Sequence, residues 1–267
     1  MNVKNELDKT MKFSIHELNK EIKECRKCRL SETRINAICG EGNLDARIMF
    51  IAQAPGENED KKGMMFIGPS GKVLDELLKI SHVDRKEFYI TNLVKCMLPR
   101  YRKPKQDEID ICSNYLNKEI EIIEPDILVP LGYYSTRYLF KKYDLLMPPK
   151  KEFYTVYGKL LIVDSKKILP LRHPAAILHN PSLKKILIKN YRKLKTLSEE
   201  CKWYPVCPMK RYYEKGYLDR KWVELYCKGD WELCVRYQME EKGDPHPDYM
   251  LPDGTIDEKL ANYENLC

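Results

Sequence analysis

Along the first 200 residues the chain alternates between short runs that are apolar at nearly every position and longer stretches in which apolar residues return every three or four positions. Residues 47–51 (RIMFI) form one such run and stop at a Pro-Gly turn, and residues 70–80 follow with Val73, Leu74, Leu77 and Leu78 on one helical face. The pattern then repeats: a strand at 88–94 (FYITNLV), a helix at 105–123, a strand at 126–131 (DILVPL), a helix at 133–140, two short strands linked by a turn centred on Gly158, and a long basic helix at 182–197. Strand-helix units in series build a parallel sheet with helices on both faces. The expected fold class is therefore α/β, a three-layer sandwich around a parallel sheet, with any ligand at the carboxyl ends of the strands.

Length and charge refine this picture. A chain of 267 residues exceeds the usual single-domain size, so one full core (1–200) and a smaller appendage (201–267) are expected. The net charge of +7 is unevenly spread: residues 201–267 carry 10 Lys+Arg against 13 Asp+Glu, leaving 37 against 27 in residues 1–200. A basic front portion suits a polyanionic partner, although a solvated lysine-rich surface has the same composition. The opening MNVKNELDKTMKFSIHELNK is charged throughout and no apolar run approaches membrane length, so a cytoplasmic protein without a membrane partner is expected. In that compartment ten cysteines favour metal binding over disulfides. Cys25 and Cys28 form a C-x2-C pair that delivers two thiolates to one corner of a metal site, while Cys96 and Cys112 must be supplied by the fold. Such a quartet would clasp the amino-terminal arm to a later segment.

Three side chains stand out at the predicted strand ends. Phe66 lies between a turn containing Gly63 and the helix entry at residues 68–71, an awkward place for a core aromatic. Asn92 interrupts a strand otherwise built from Phe, Tyr, Ile, Leu and Val, where a buried amide needs partners. His173 opens HPAA after a short strand.

Taken in order, IAQAPGENED, FIGPSGKVLDELL, YITNLVKC and LRHPAAILHNPSLK, together with the four cysteines, resemble the motifs of the family 4 (iron-sulfur) uracil-DNA glycosylases of the uracil-DNA glycosylase superfamily, over residues 20–197. The resemblance implies a four-stranded parallel sheet, a 4Fe-4S cluster on Cys25, Cys28, Cys96 and Cys112, and hydrolysis of the N-glycosidic bond of uracil in DNA to leave an abasic site, the first step of base excision repair. It also implies that Phe66 stacks on the extruded base, that Asn92 reads its O4 and N3–H, and that His173 donates to the charge developing on its O2. Gln53, Ala54 and Gly56 then line the base pocket.

The first motif departs from the family, which reads G-E-A-P-G where this chain has Ala52-Gln53-Ala54-Pro55-Gly56. A glutamine is no general base, so Gln53 can only hydrogen-bond uracil or orient a water, and Glu59 and Asp60 are the carboxylates left nearby. A glutamine here is also found in a branch that traps DNA through a histidine in the loop after the Asn strand; that loop reads CMLPRYRKP and contains none. Its Arg100, Tyr101, Arg102, Lys103 and Lys105 interleave cations with an aromatic, as a phosphate-gripping loop does. Lys184, Lys185, Lys189, Arg192, Lys193 and Lys195 form a second basic face, for which DNA contact and plain solvation are the alternatives.

The glycosylase motifs leave the tail unexplained. It holds all three tryptophans and C-x5-C-x19-C-x6-C (Cys201, Cys207, Cys227, Cys234), for which a second cluster, a zinc ion and buried free thiols are the alternatives. Its acidic balance favours contact with a protein partner or docking on the front portion over DNA. The expectation is a monomeric uracil-DNA glycosylase whose partner is uracil-containing DNA; alternatives are a glycosylase for another deaminated base such as hypoxanthine, and a non-catalytic nucleic-acid-binding module.

Overall fold

The computed structural model describes residues 3–163 and 166–263. In chain order the elements are α1 (Val3–Glu24), β1 (Glu41–Gly42), β2 (Ile48–Ala52), α2 (Glu57–Lys62), α3 (Pro69–Ile80), β3 (Phe88–Asn92), α4 (Gln106–Ile123), β4 (Ile127–Pro130), α5 (Tyr133–Lys142), β5 (Leu161–Val163), β6 (Lys166–Ile168), α6 (Ala176–His179), α7 (Lys184–Tyr191), α8 (Lys193–Ser198), α9 (Pro208–Glu214), α10 (Arg220–Trp222), α11 (Val235–Lys242) and α12 (Glu258–Ala261). The sheet order is β1-β3-β2-β4-β6-β5. Its four inner strands run parallel, as expected, and β1 and β5 add short antiparallel edges, β1 without any apolar run to announce it.

Alternation along the strands divides the core in two. Met49, Ile51, Tyr89, Leu128 and Ile168 face α1, α4 and α5, meeting Ile15, Leu18 and Ile22 of α1, Leu116 and Ile120 of α4 and Leu139 of α5. Ile48, Phe50, Ile90 and Val129 face the other way, onto Leu74, Leu77 and Leu78 of α3 and Leu187, Tyr191, Leu194 and Leu197 of α7 and α8. Three layers result because each strand residue must bury one side chain up and the next one down.

Two expectations change. The basic helix at 182–197 is broken: a 3₁₀ turn (Pro181–Leu183) precedes α7, and α7 and α8 are separate segments. Gly158 precedes both β5 and β6 rather than linking them, and takes φ 79° where a side chain would meet Asn190. A third core gathers residues from the tail alone, with Tyr204, Met209, Tyr212, Val223 and Leu260 at its centre. The tail docks on the amino ends of the central strands: Lys167 Nζ of β6 donates to Lys228 O at 2.7 Å and pairs with Glu224 at 2.8 Å, and Lys193 of α8 pairs with Asp230. Among the described residues no helix is long and apolar enough to cross a membrane.

Candidate active site

At the opposite, carboxyl end of the strands lies a cleft of about 980 Å³ lined by Gln53, Ala54, Gly56, Phe66, Asn92 and His173, so the structure brings together every residue that the sequence nominated for the base pocket. Each arrives on a different connection. Gln53, Ala54 and Gly56 follow β2, Asn92 is the last residue of β3, Phe66 precedes α3, and His173 follows the bridge between Leu131 and Leu171 that extends β4 and β6. Parallel strands place all these connections at one edge of the sheet.

Phe66 is only 7% exposed and takes φ 50°, a left-handed conformation that costs about 1–3 kcal/mol for a non-glycine residue. Gly71 makes it possible: a β-carbon there would sit 1.7 Å from the Phe66 carbonyl oxygen. The Phe66 ring stacks against that of His173, with centroids 5.8 Å apart and planes at 22°. Asn92, 2% exposed, has among the described residues only a thioether to donate to, Met65 Sδ at 3.0 Å. Sulfur is a weak acceptor, so a ligand oxygen would satisfy this amide better.

His173 Nδ1 accepts from the Ala175 N–H at 3.2 Å. Loss of hydration brings this imidazole down to about 4 from its ordinary 6.5, so the ring is neutral near pH 7. With Nδ1 accepting, the proton resides on Nε2, which makes this nitrogen a donor. Glu59 also lines the cleft, but its Oε1 accepts from the Gly68 N–H at 2.9 Å, and a β-carbon on Gly56 would lie 2.6 Å from Oε2. Asp60 is a structural clamp, accepting from the N–H groups of Ile35 and Asn36 at 3.0–3.1 Å. Among the expected phosphate contacts, Arg102 is engaged by Glu108 through both terminal nitrogens at 2.8 and 2.6 Å, Lys184 is paired with Glu76, and Lys193 faces the tail. Arg100, Lys103 and Lys105 remain exposed, and Tyr101, 77% exposed, donates to Glu57 from the cleft rim.

Cys96 and Cys112 belong to the core shared with α1 and α4, Cys25 and Cys28 pack against it half-buried, and none of the four is in a disulfide. Among the described residues no group of three or more His, Cys, Asp or Glu is drawn together tightly enough for one metal ion. The donor set nonetheless fits an anionic sulfur cluster: Arg34 Nη1 donates to Cys96 Sγ at 3.1 Å, Arg34 Nη2 to the Cys25 carbonyl at 2.6 Å, and the Lys95 N–H to Cys112 Sγ at 3.1 Å. Burial pushes the Cys96 thiol up and that of Cys112 to about 12, and a positive centre beside them would favour their thiolate forms.

Sequence reasoning missed the support beneath the site. Lys95, buried beside Cys96, donates to Glu119 Oε2 and Thr91 Oγ1, both at 2.6 Å, and Glu119 Oε1 accepts from the Gly40 N–H. A lysine directly after the apolar Leu93-Val94 pair and before Cys96 was the available signal. Met65, Arg34 and Gly71 carried none.

The sequence profile of the uracil DNA glycosylase superfamily matches residues 39–197. The chain is 46% identical to the type-4 uracil-DNA glycosylase of Saccharolobus solfataricus over 66% of its own length and 82% of that protein. It is 40% identical to the enzyme of the same name from Sulfurisphaera tokodaii, over 78% of its length and 94% of the relative, and 37% identical to that of Archaeoglobus fulgidus, over 68% and 92%.

Proposed function

The chain belongs to the uracil-DNA glycosylase superfamily, and on that premise we infer that it excises uracil from DNA by hydrolysing the N-glycosidic bond. The observation that carries this reading is His173: a neutral, desolvated imidazole whose Nδ1 is occupied by a backbone N–H and whose Nε2–H is left to donate, in the same cleft as an under-partnered amide and a stacked aromatic.

Chemistry on a base requires its extrusion from the stack. Phe66 then packs against the uracil ring, and the Asn92 amide exchanges its thioether partner for O4 while accepting from N3–H. As the glycosidic bond breaks, negative charge accumulates on the base, and the His173 Nε2–H stabilises it without surrendering a proton. A donor that is neutral at the start strengthens its hydrogen bond as charge develops, which lowers the barrier more than it tightens binding. Gln53 orients water toward the sugar through its amide, since it cannot take a proton. Leu178, half exposed on α6, and Tyr101 stand at the rim, where an apolar side chain fills the gap left by an extruded base. Arg100, Lys103 and Lys105 supply phosphate contacts.

Cys25, Cys28, Cys96 and Cys112 would hold a 4Fe-4S cluster, which when bound would tie the segment after α1 to the loop before α4 and to α4 itself, adding rigidity. Residues 1–200 form the glycosylase domain and residues 201–267 a smaller unit, of which the described residues 201–263 dock on the end of the sheet remote from the cleft. The test is incubation with uracil-, hypoxanthine- and thymine-mismatch oligonucleotides followed by alkaline strand scission. Scission at uracil alone is expected, and His173→Ala should slow single-turnover excision about 100- to 1,000-fold with little change in DNA affinity. Cleavage at hypoxanthine but not uracil would replace this substrate with another.

A further inference from the structure

The tail cysteines meet in one place. Cys201, Cys207, Cys227 and Cys234 all line a single cavity of about 70 Å³, walled by aromatic rings that include Trp203, Tyr204 and Trp231. Local structure aims them there: Cys207 and Cys234 are the residues that open α9 and α11, Cys227 ends a π-helical turn (Val223–Cys227), and the Cys201 N–H donates to the Cys227 carbonyl at 2.8 Å. None of the four is in a disulfide.

A second observation is independent of the thiols. Trp231 Nε1 and Arg236 Nε are buried without a hydrogen-bond partner among the described residues, and both residues line the same cavity. Arg236 is 3% exposed, and its Nη1 is already committed to the carbonyls of Pro247, Asp248 and Met250 at 2.8–3.0 Å. Indole and guanidinium nitrogens can only donate, so the missing partner is an acceptor, and a buried donor left without one costs about 1–3 kcal/mol. His246 adds a buried Nε2 on the same wall, 3.1 Å from Glu240 but outside hydrogen-bond geometry.

We propose that Cys201, Cys207, Cys227 and Cys234 ligate a second 4Fe-4S cluster, with Trp231 and Arg236 as N–H donors to its sulfurs. A zinc ion is the competing occupant of a four-cysteine site. Zinc–sulfur bonds of about 2.3 Å would hold the thiolates roughly 3.8 Å apart. Among the described residues no such single-ion grouping exists, and the cavity far exceeds the ~10–15 Å³ that one water-sized sphere takes. A four-iron cluster spreads its thiolates more widely than a single ion does. Four thiolates around it leave net negative charge, part of which the buried Arg236 guanidinium offsets. The tail's small core gains a covalent staple, as short units with little apolar interior need.

The full-length protein, purified anaerobically, decides this by iron, acid-labile sulfide and zinc content. About eight irons and eight sulfides per chain are expected, falling to about four of each in Cys207→Ser/Cys234→Ser. Cys25→Ser/Cys28→Ser should independently remove the other four, so failure of either site is distinguishable from failure of the other. Trp231→Phe should keep about eight irons but lower the potential of one cluster, because a hydrogen bond to sulfur favours the reduced form. Wild-type protein whose iron Cys25→Ser/Cys28→Ser removes entirely, or that carries one zinc in place of the tail iron, overturns the proposal, whether or not the tail variant folds; about four irons that survive Cys25→Ser/Cys28→Ser would instead remove the other cluster and keep this one.

Discussion

The desolvated state of His173 makes a quantitative demand on the pH dependence of excision. Lowering the imidazole from 6.5 to about 4 opposes its charged form by roughly 3 kcal/mol, at 1.36 kcal/mol per tenfold change in proton affinity. At pH 7 about one ring in a thousand is then an imidazolium. Single-turnover excision of uracil should therefore be flat from about pH 5.5 to 8 as far as this group is concerned, and fall only as the ring protonates near 4. Protonation there also breaks the bond that Nδ1 accepts from the Ala175 N–H. The same shift affects stability. Since the native value lies below the unfolded one, the unfolded chain binds the extra proton between about pH 6.5 and 4. The native state therefore loses stability as pH falls through that window, by up to roughly 3 kcal/mol. Circular dichroism at each pH separates this loss from the rate, and His173→Gln should remove its share of the acid sensitivity. A rate that is highest below pH 6 and declines through 6.5 would show the imidazolium to be the working form and refute the neutral-donor assignment.

Asn92→Asp leaves a group that only accepts, so uracil excision should fall at least about tenfold and base preference should change, read on the same oligonucleotide panel. Gly71→Ala forces a methyl group into the Phe66 carbonyl, and should lower excision together with stability by about 1–3 kcal/mol while leaving the broad iron-sulfur absorbance near roughly 400 nm intact. An unchanged rate would mean that the Phe66 conformation is not used. Lys167→Met breaks the buried contacts to Glu224 and Lys228, at a cost of about 3 kcal/mol; limited proteolysis should then enter residues 201–263 sooner, with excision preserved because Lys167 lies at the end of the sheet away from the cleft.

The sequence by itself determined the layered α/β core, because buried parallel strands must be apolar at every position and their helices must carry one apolar face. It also nominated Asn92, since a buried amide at the end of such a run contradicts its surroundings, while Gln53, Phe66 and His173 were nominated by their places in the motifs that resemble the family. It could not show β1, which is two residues long and exists only through pairing with β3, or the break between α7 and α8, which no glycine or proline marks. Nor could it distinguish a cation left for DNA from one already engaged: Arg102 and Lys193 read like Arg100 and Lys103 until Glu108 and Asp230 are placed beside them. Tertiary structure alone closed the four tail cysteines onto one cavity with the donors of Trp231 and Arg236. Periodicity reports which side of an element is buried, a local property, whereas convergence of groups up to 35 residues apart (Cys201 to Arg236) depends on how separate elements pack.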